Sequence, residues 1–330
     1  MRLLKRILLI PLFLVWLCVN FPLEARSDPP LVIPTWVSPF KDVNYVPNGH
    51  NPRQVLDLFV PDQAHSINHL SPVPLIIWIH GGGWRSGYKT DGGGLMSCLL
   101  RAGFAVASIE YRLTPEANFP AQVNDVKAAV RFLRANAEKY HLNAHKFGAI
   151  GGSAGGHLVA ILGTTSGAPS EKTLEGNLGN NQVSSDVQAV SDWSGPIDFL
   201  TVNKQAAHFQ TADVIKQVMR EFLGDDPEKI PLRAKEASPA SYAKKGNPPF
   251  LIVHGDKDEL IPYAQAQDFF HVLKAKQVPV SFFTVVGGGH GTGDIGPAVQ
   301  VTIDFFSDVL CGSKAAFLSD KSKFPSALQE

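Results

Sequence analysis

The chain is 330 residues long, 44% hydrophobic and 18% charged, with 30 basic residues balanced by 30 acidic ones. Such a chain can bury one large core or two small ones. With no net charge, no basic stripe and no acidic tail, it offers no electrostatic footing for nucleic acid or an anionic membrane surface, which leaves a small, largely uncharged substrate as the readiest partner.

The first element is a leader. Arg2, Lys5 and Arg6 precede an apolar run over residues 7–19 that only Pro11 interrupts. A membrane span needs about 20 apolar residues, so this shorter run predicts a signal peptide over residues 1–25, cut after Ala25. The mature protein is expected to be secreted or periplasmic, with no stable membrane anchor. Cys98 and Cys311 would remain after the cut. Cys98 falls in an apolar helical run and reads as a buried thiol rather than half of a bridge, and two thiols make no metal framework.

Residues 26–45 are rich in proline and polar turn formers and read as an extended lead-in, followed by a domain over residues 46–310. Its first strand is expected at 55–60. The continuous apolar run 74–79 suits a strand covered on both faces, and it runs into His80-Gly81-Gly82-Gly83-Trp84. A helix at 95–102 and a strand at 104–109 follow. Over 120–139, Val123, Val126, Val130 and Leu133 recur at helical spacing, which turns Lys127, Arg131 and Arg134 toward water. A strand at 146–150 then enters Gly151-Gly152-Ser153-Ala154-Gly155, and a helix leaves it.

Beyond a polar loop at 166–186, residues 187–193 read as a strand. Residues 199–247 carry helical spacing without a strand and are expected to form a lid-like insertion. The buried run 249–253 ends in an acidic loop containing Asp256, Asp258 and Glu259. A helix at 263–277 and a strand at 280–286 lead to a glycine run that holds His290, and a last helix at 297–310 precedes a polar tail over 311–330. Strands that alternate with helices in this way predict a doubly wound, mostly parallel sheet.

Three motifs carry chemistry. Glycine and alanine around Ser153 permit a sharp strand-to-helix turn that lifts the serine oxygen clear of a sheet, the nucleophile elbow of an α/β-hydrolase fold. The glycines after His80 let backbone amides approach a substrate oxygen, so Gly81 and Gly82, with Ala154 at the start of the elbow helix, are the candidate oxyanion donors. His80 itself is expected to brace this loop rather than act as a base. Asp258 and His290, each after a late strand, complete the order nucleophile, acid, base. The acid remains open among Asp256, Asp258 and Glu259 on sequence position alone. Trp84, Tyr111 and Trp193 are candidates for an aromatic substrate pocket.

The set His80 to Gly87, Tyr111 to Leu113, Phe119 to Gln122, Gly152 to His157, His254 to Asp258 and Gly289-His290 resembles the esterase/lipase branch of the α/β-hydrolases. Within it, the bifunctional feruloyl and acetyl esterase-like group, related to the hormone-sensitive-lipase-like esterases, is the nearest match. The resemblance covers roughly residues 40–310. It implies a serine carboxylic ester hydrolase that needs no cofactor and no metal, works through an acyl-enzyme, and uses Ser153, Asp258 and His290. It further implies short acyl esters such as acetyl or feruloyl groups on plant polysaccharides. Gly152 departs from the acidic residue that often precedes the serine in hormone-sensitive-lipase-like enzymes, and Glu110 from the aspartate that commonly precedes Tyr-Arg-Leu. An amide hydrolase resembling kynurenine formamidase, and a non-catalytic binder on the same fold, are the competing readings.

Overall fold

The computed structural model describes residues 29–167, 172–291 and 295–312, with Lys172 as backbone only. The leader predicted over residues 1–25 and all but the first two residues of the predicted tail lie outside them. Strands β1 (Val37–Asn44), β2 (Val55–Pro61), β3 (Val73–Ile79), β4 (Ala105–Ile109), β5 (Leu142–Gly152), β6 (Ala189–Trp193), β7 (Phe250–Gly255) and β8 (Val280–Val285) form one sheet in the order β1-β2-β4-β3-β5-β6-β7-β8. β1 pairs antiparallel with β2, and β2 with β4; every other pairing is parallel. The α/β-hydrolase architecture is therefore present, with a mostly parallel sheet. The helices in chain order are α1 (Gly93–Arg101), α2 (Ala121–Ala135), α3 (Ala154–Thr164), α4 (Lys172–Glu175), α5 (Val202–Gln205), α6 (Ala212–Leu223), α7 (Pro231–Ala237), α8 (Tyr263–Ala275) and α9 (Gly296–Cys311).

The alternation of side chains along β3 explains its unbroken apolar run. Leu75, Ile77 and Ile79 enter the core shared with α2, α3 and α8, whereas Ile76 and Trp78 face the core under α1 and α9. Both faces of the strand are thus dry, and all seven residues are buried.

Two expectations are corrected. The lead-in contains β1, an edge strand with five consecutive exposed residues, Ser38 to Asp42. Lys127 and Arg131 do not face water: they are 2% and 1% exposed. The segment around α4 folds over them and places Glu175 2.9 Å from Lys127 Nζ and 2.7 Å from Arg131 Nη1. Burial penalises the Glu175 charge, but Lys127 and Arg131 outweigh it and hold the carboxyl below its ordinary range.

The sheet register positions the site. Gly152 at the end of β5 lies opposite Trp193 of β6, Trp193 opposite Val253 of β7, and Gly255 opposite Val285 of β8. The segments that follow β5, β7 and β8 therefore leave the same carboxyl edge, where open α/β sheets bind their ligands. Residues 199–247 supply α5, α6, α7 and a 3-10 turn (Pro239–Tyr242), and they contain no strand.

Candidate active site

Ser153 sits between the last residue of β5 and the first of α3 with φ 56° and ψ −120°. That backbone region favours glycine, and holding a serine in it stores on the order of 1–3 kcal/mol of strain. The surroundings enforce it. A Cβ on Gly155 would lie 2.1 Å from the carbonyl oxygen of Ile79, and one on Gly151 2.5 Å from the Gly155 carbonyl carbon, so only glycine lets the helix start this close to the sheet. The Ser153 amide donates to Trp193 O at 2.8 Å, and its carbonyl accepts the His157 amide at 3.0 Å. Gly152 is different: a Cβ there would meet nothing within 4 Å, so an acidic side chain would have room, and its absence leaves open space beside the serine.

The glycine loop after β3 runs against this elbow, for a Cβ on Gly81 would lie 2.9 Å from Gly152 O and 3.4 Å from Ser153 Cβ. Its carbonyls are turned away and engaged. Gly81 O accepts from His80 Nδ1 at 2.8 Å and from the Tyr111 hydroxyl at 3.2 Å. Gly82 O accepts the Arg85 amide (3.1 Å), the Ser86 amide (3.0 Å) and Ser86 Oγ (3.0 Å). In a trans peptide the N–H points opposite to the C=O, so the amides of Gly82 and Gly83 face away from those donors. Gly83 thereby joins Gly81, Gly82 and Ala154 as a candidate; only the third glycine of the run hinted at it. Gly82 has φ +97°, and a Cβ on it would lie 2.3 Å from Ser86 O.

His80 braces the loop as expected. Its ring stacks on Tyr111 at 4.3 Å, and its Nε2 lies 3.7 Å from Glu110 Oε2, beyond hydrogen-bond reach. Glu110 instead accepts from Arg53 Nη1 at 2.6 Å and the Lys89 amide at 2.8 Å.

The candidate acid and base meet. His290 Nδ1 lies 2.8 Å from Asp258 Oδ2. Asp258 Oδ1 accepts the amides of Leu260 (2.8 Å) and Ile261 (2.9 Å), and its side chain is fully enclosed. Burial pushes this carboxyl up, but hydrogen bonds from His254 and His290 outweigh burial and hold it well below the ordinary carboxylate range. Asp256 is spent elsewhere, accepting the Gly287 amide at 2.7 Å in the turn that precedes His290.

The aromatic candidates are placed otherwise than expected. Trp84 is 1% exposed and Tyr111 0%. Trp84 packs under the insertion, stacked on Phe222 at 4.1 Å and near Phe199 and His157, so it has no free face for a ligand. The Tyr111 hydroxyl is directed at the carbonyls of His80 and Gly81. Trp193 is half-buried on the α1 and α9 side, and its backbone carbonyl is what reaches Ser153. Above the site, α6 bridges two loops: Val218 approaches Gly83, Glu221 pairs with Arg85 at 3.3 Å, and Thr211 Oγ1 bonds Glu259 O.

Comparison with known proteins accords with this fold. The curated relative LipC, an esterase of Mycobacterium tuberculosis, is 30% identical over 245 residues, which are 74% of this chain and 58% of LipC, so the chain spans little more than half of that relative. A truncated carbohydrate esterase from gut microbiota superposes with a TM-score of 0.75 at 32% identity, covering 86% of this chain and all of the other. A bifunctional GH43-CE protein of Bacteroides eggerthii superposes with a TM-score of 0.72 at 32% identity, over 82% of this chain and 35% of that one. The family model named BD-FAE matches residues 56–273, from β2 through most of α8. The chain belongs to the BD-FAE family, α/β-hydrolase esterases of the feruloyl and acetyl esterase-like type.

Proposed function

We propose that this protein is a serine carboxylic ester hydrolase that works through an acyl-enzyme. The observation that carries the reading is the 2.8 Å hydrogen bond between Asp258 and His290 at the sheet edge where the strained Ser153 elbow also emerges. His290 Nε2 takes the proton from Ser153 Oγ as that oxygen bonds the ester carbonyl carbon. Asp258 keeps the proton of His290 on Nδ1 and stabilises the imidazolium that forms. The amides of Ala154, Gly82 and Gly81 or Gly83 hold the oxyanion, each worth roughly 3 kcal/mol in the barrier. Collapse of the adduct breaks the ester C–O bond, and the imidazolium protonates the departing alcohol. Water then adds to the acyl-serine by the same route, releasing the acid and restoring Ser153.

The substrates are short acyl esters, acetyl or feruloyl, on plant polysaccharides, and the chain works outside the cytoplasm after loss of residues 1–25. The names of the two structural relatives at 32% identity, a carbohydrate esterase and a bifunctional GH43-CE protein, support the carbohydrate half of this reading.

A panel of p-nitrophenyl acetate, p-nitrophenyl octanoate, methyl ferulate, acetylated xylan and N-formylkynurenine tests it. The expected outcome is hydrolysis of p-nitrophenyl acetate and release of acetate or ferulate from the plant-type esters, all lost in Ser153→Ala. Turnover of octanoate alone would make it a general lipolytic enzyme, and turnover of N-formylkynurenine alone an amide hydrolase.

A further inference from the structure

Asp258 has a second imidazole. His254 lies four residues earlier on β7, is 1% exposed, and brings Nε2 to 3.1 Å from Asp258 Oδ2, the oxygen that also bonds His290. The same Nε2 is 3.0 Å from the carbonyl oxygen of Ile261. A nitrogen facing two oxygen acceptors has to carry the proton, because a lone pair there would be repelled by both. His254 therefore carries a proton on Nε2, placed between the two oxygens. Its Nδ1 is buried without a hydrogen-bond partner among the described residues.

The groups packed around this ring come from three further elements. Asp192 Oδ1 on β6 accepts the Gly195 amide at 2.9 Å; burial pushes this carboxyl up to about 6 against the pull of His254. Tyr263 of α8 meets the His254 ring edge-on at 5.7 Å. His290, from the loop after β8, shares Asp258 with it.

The geometry points to His254 as a positioning residue for the acid of the triad, donating to the oxygen that holds His290 and so fixing the carboxylate plane and tempering its charge. This rests on the assignment of Asp258 and His290 proposed above. With His254 in place, the Asp258 carboxylate has two amides on Oδ1 and two imidazole nitrogens within 3.1 Å of Oδ2. Without the second donor, Oδ2 carries more charge, the His290 imidazolium is favoured, and the acid limb of the pH profile moves upward. A residue that only fills space would not move that limb.

The test uses the full chain as wild type, His254→Gln, His254→Leu and Asp258→Asn, with kcat and KM for p-nitrophenyl acetate followed from about pH 5 to 9. Glutamine retains an amide N–H, so its acid limb should coincide with that of the wild type. Leucine should raise the limb by about half a pH unit or more and lower kcat by roughly tenfold at unchanged KM. A folded His254→Leu with an unmoved limb, or a His254→Gln shifted as far as leucine, overturns the inference. Should leucine fail to fold, nitrogen NMR of the wild type decides: a proton on Nε2 of His254 is expected, and a ring protonated on Nδ1 alone overturns the inference. An Asp258→Asn variant with full activity would instead overturn the triad assignment itself.

Discussion

Ser153→Ala is expected to lower kcat for p-nitrophenyl acetate by about a millionfold while the protein melts within a few degrees of the wild type. In the proposed mechanism the Ser153 oxygen forms the acyl bond, and no other residue described at the elbow offers a nucleophile there. The fold does not depend on it: the bonds that hold position 153 run through its backbone, from its amide to Trp193 O and from the His157 amide to its carbonyl. Alanine keeps those bonds and also keeps the strain of φ 56°, so stability changes little. Ser153→Gly separates the two contributions. It is equally inactive, but glycine occupies that backbone region freely, so it should be more stable by about 1 kcal/mol in denaturant unfolding. A glycine variant that is less stable than alanine would show that the elbow is not under strain.

The second large effect is at the acid. Asp258→Asn should lower kcat by about ten-thousandfold with KM little changed, because an amide at this position can turn its NH2 toward His290 and select the wrong imidazole tautomer. Asp256→Asn should cost less than tenfold, since Asp256 holds only the Gly287 amide in an exposed turn. Reversal of the two would reassign the acid. The same carboxylate contributes to stability with a definite sign. Its folded-state pKa lies below that of the unfolded chain, so its contribution is complete above about pH 4 and fades as pH falls through the acidic range. The stability gap between wild type and Asp258→Asn should therefore be larger at pH 7 than at pH 3.

Most of the architecture was legible because buried parallel strands are written as continuous apolar runs and surface helices as a period of 3.6. The runs at 74–79 and 249–253 fall on β3 and β7 within one or two residues, and the insertion at 199–247 is helical as its spacing suggested. The gathering of Ser153, Asp258 and His290 at one edge was legible for a related reason: each follows a strand whose carboxyl end the topology brings there. What escaped depends on contacts distant in sequence. Lys127 and Arg131 look solvent-facing on α2, and Glu175, Gly179 and Ser185, all more than 40 residues later, make their burial tolerable. Trp84 and Tyr111 read as pocket aromatics until Phe222 and the carbonyls of the glycine loop claim them. β1 was missed because an exposed edge strand carries no apolar alternation. The role of His254 was invisible because nothing in a His-Gly-Asp-Lys-Asp run says which carboxylate folds back onto the ring.

The most direct test of the account is stoichiometric labelling with diethyl p-nitrophenyl phosphate, which traps an activated serine as a stable phosphoryl ester. The expected result is release of one p-nitrophenolate per chain in step with loss of esterase activity, with the added mass on the peptide containing Ser153 and none in Ser153→Ala. Label on another residue, or equal labelling of Ser153→Ala, would contradict Ser153 as the nucleophile and with it the triad built around Asp258 and His290.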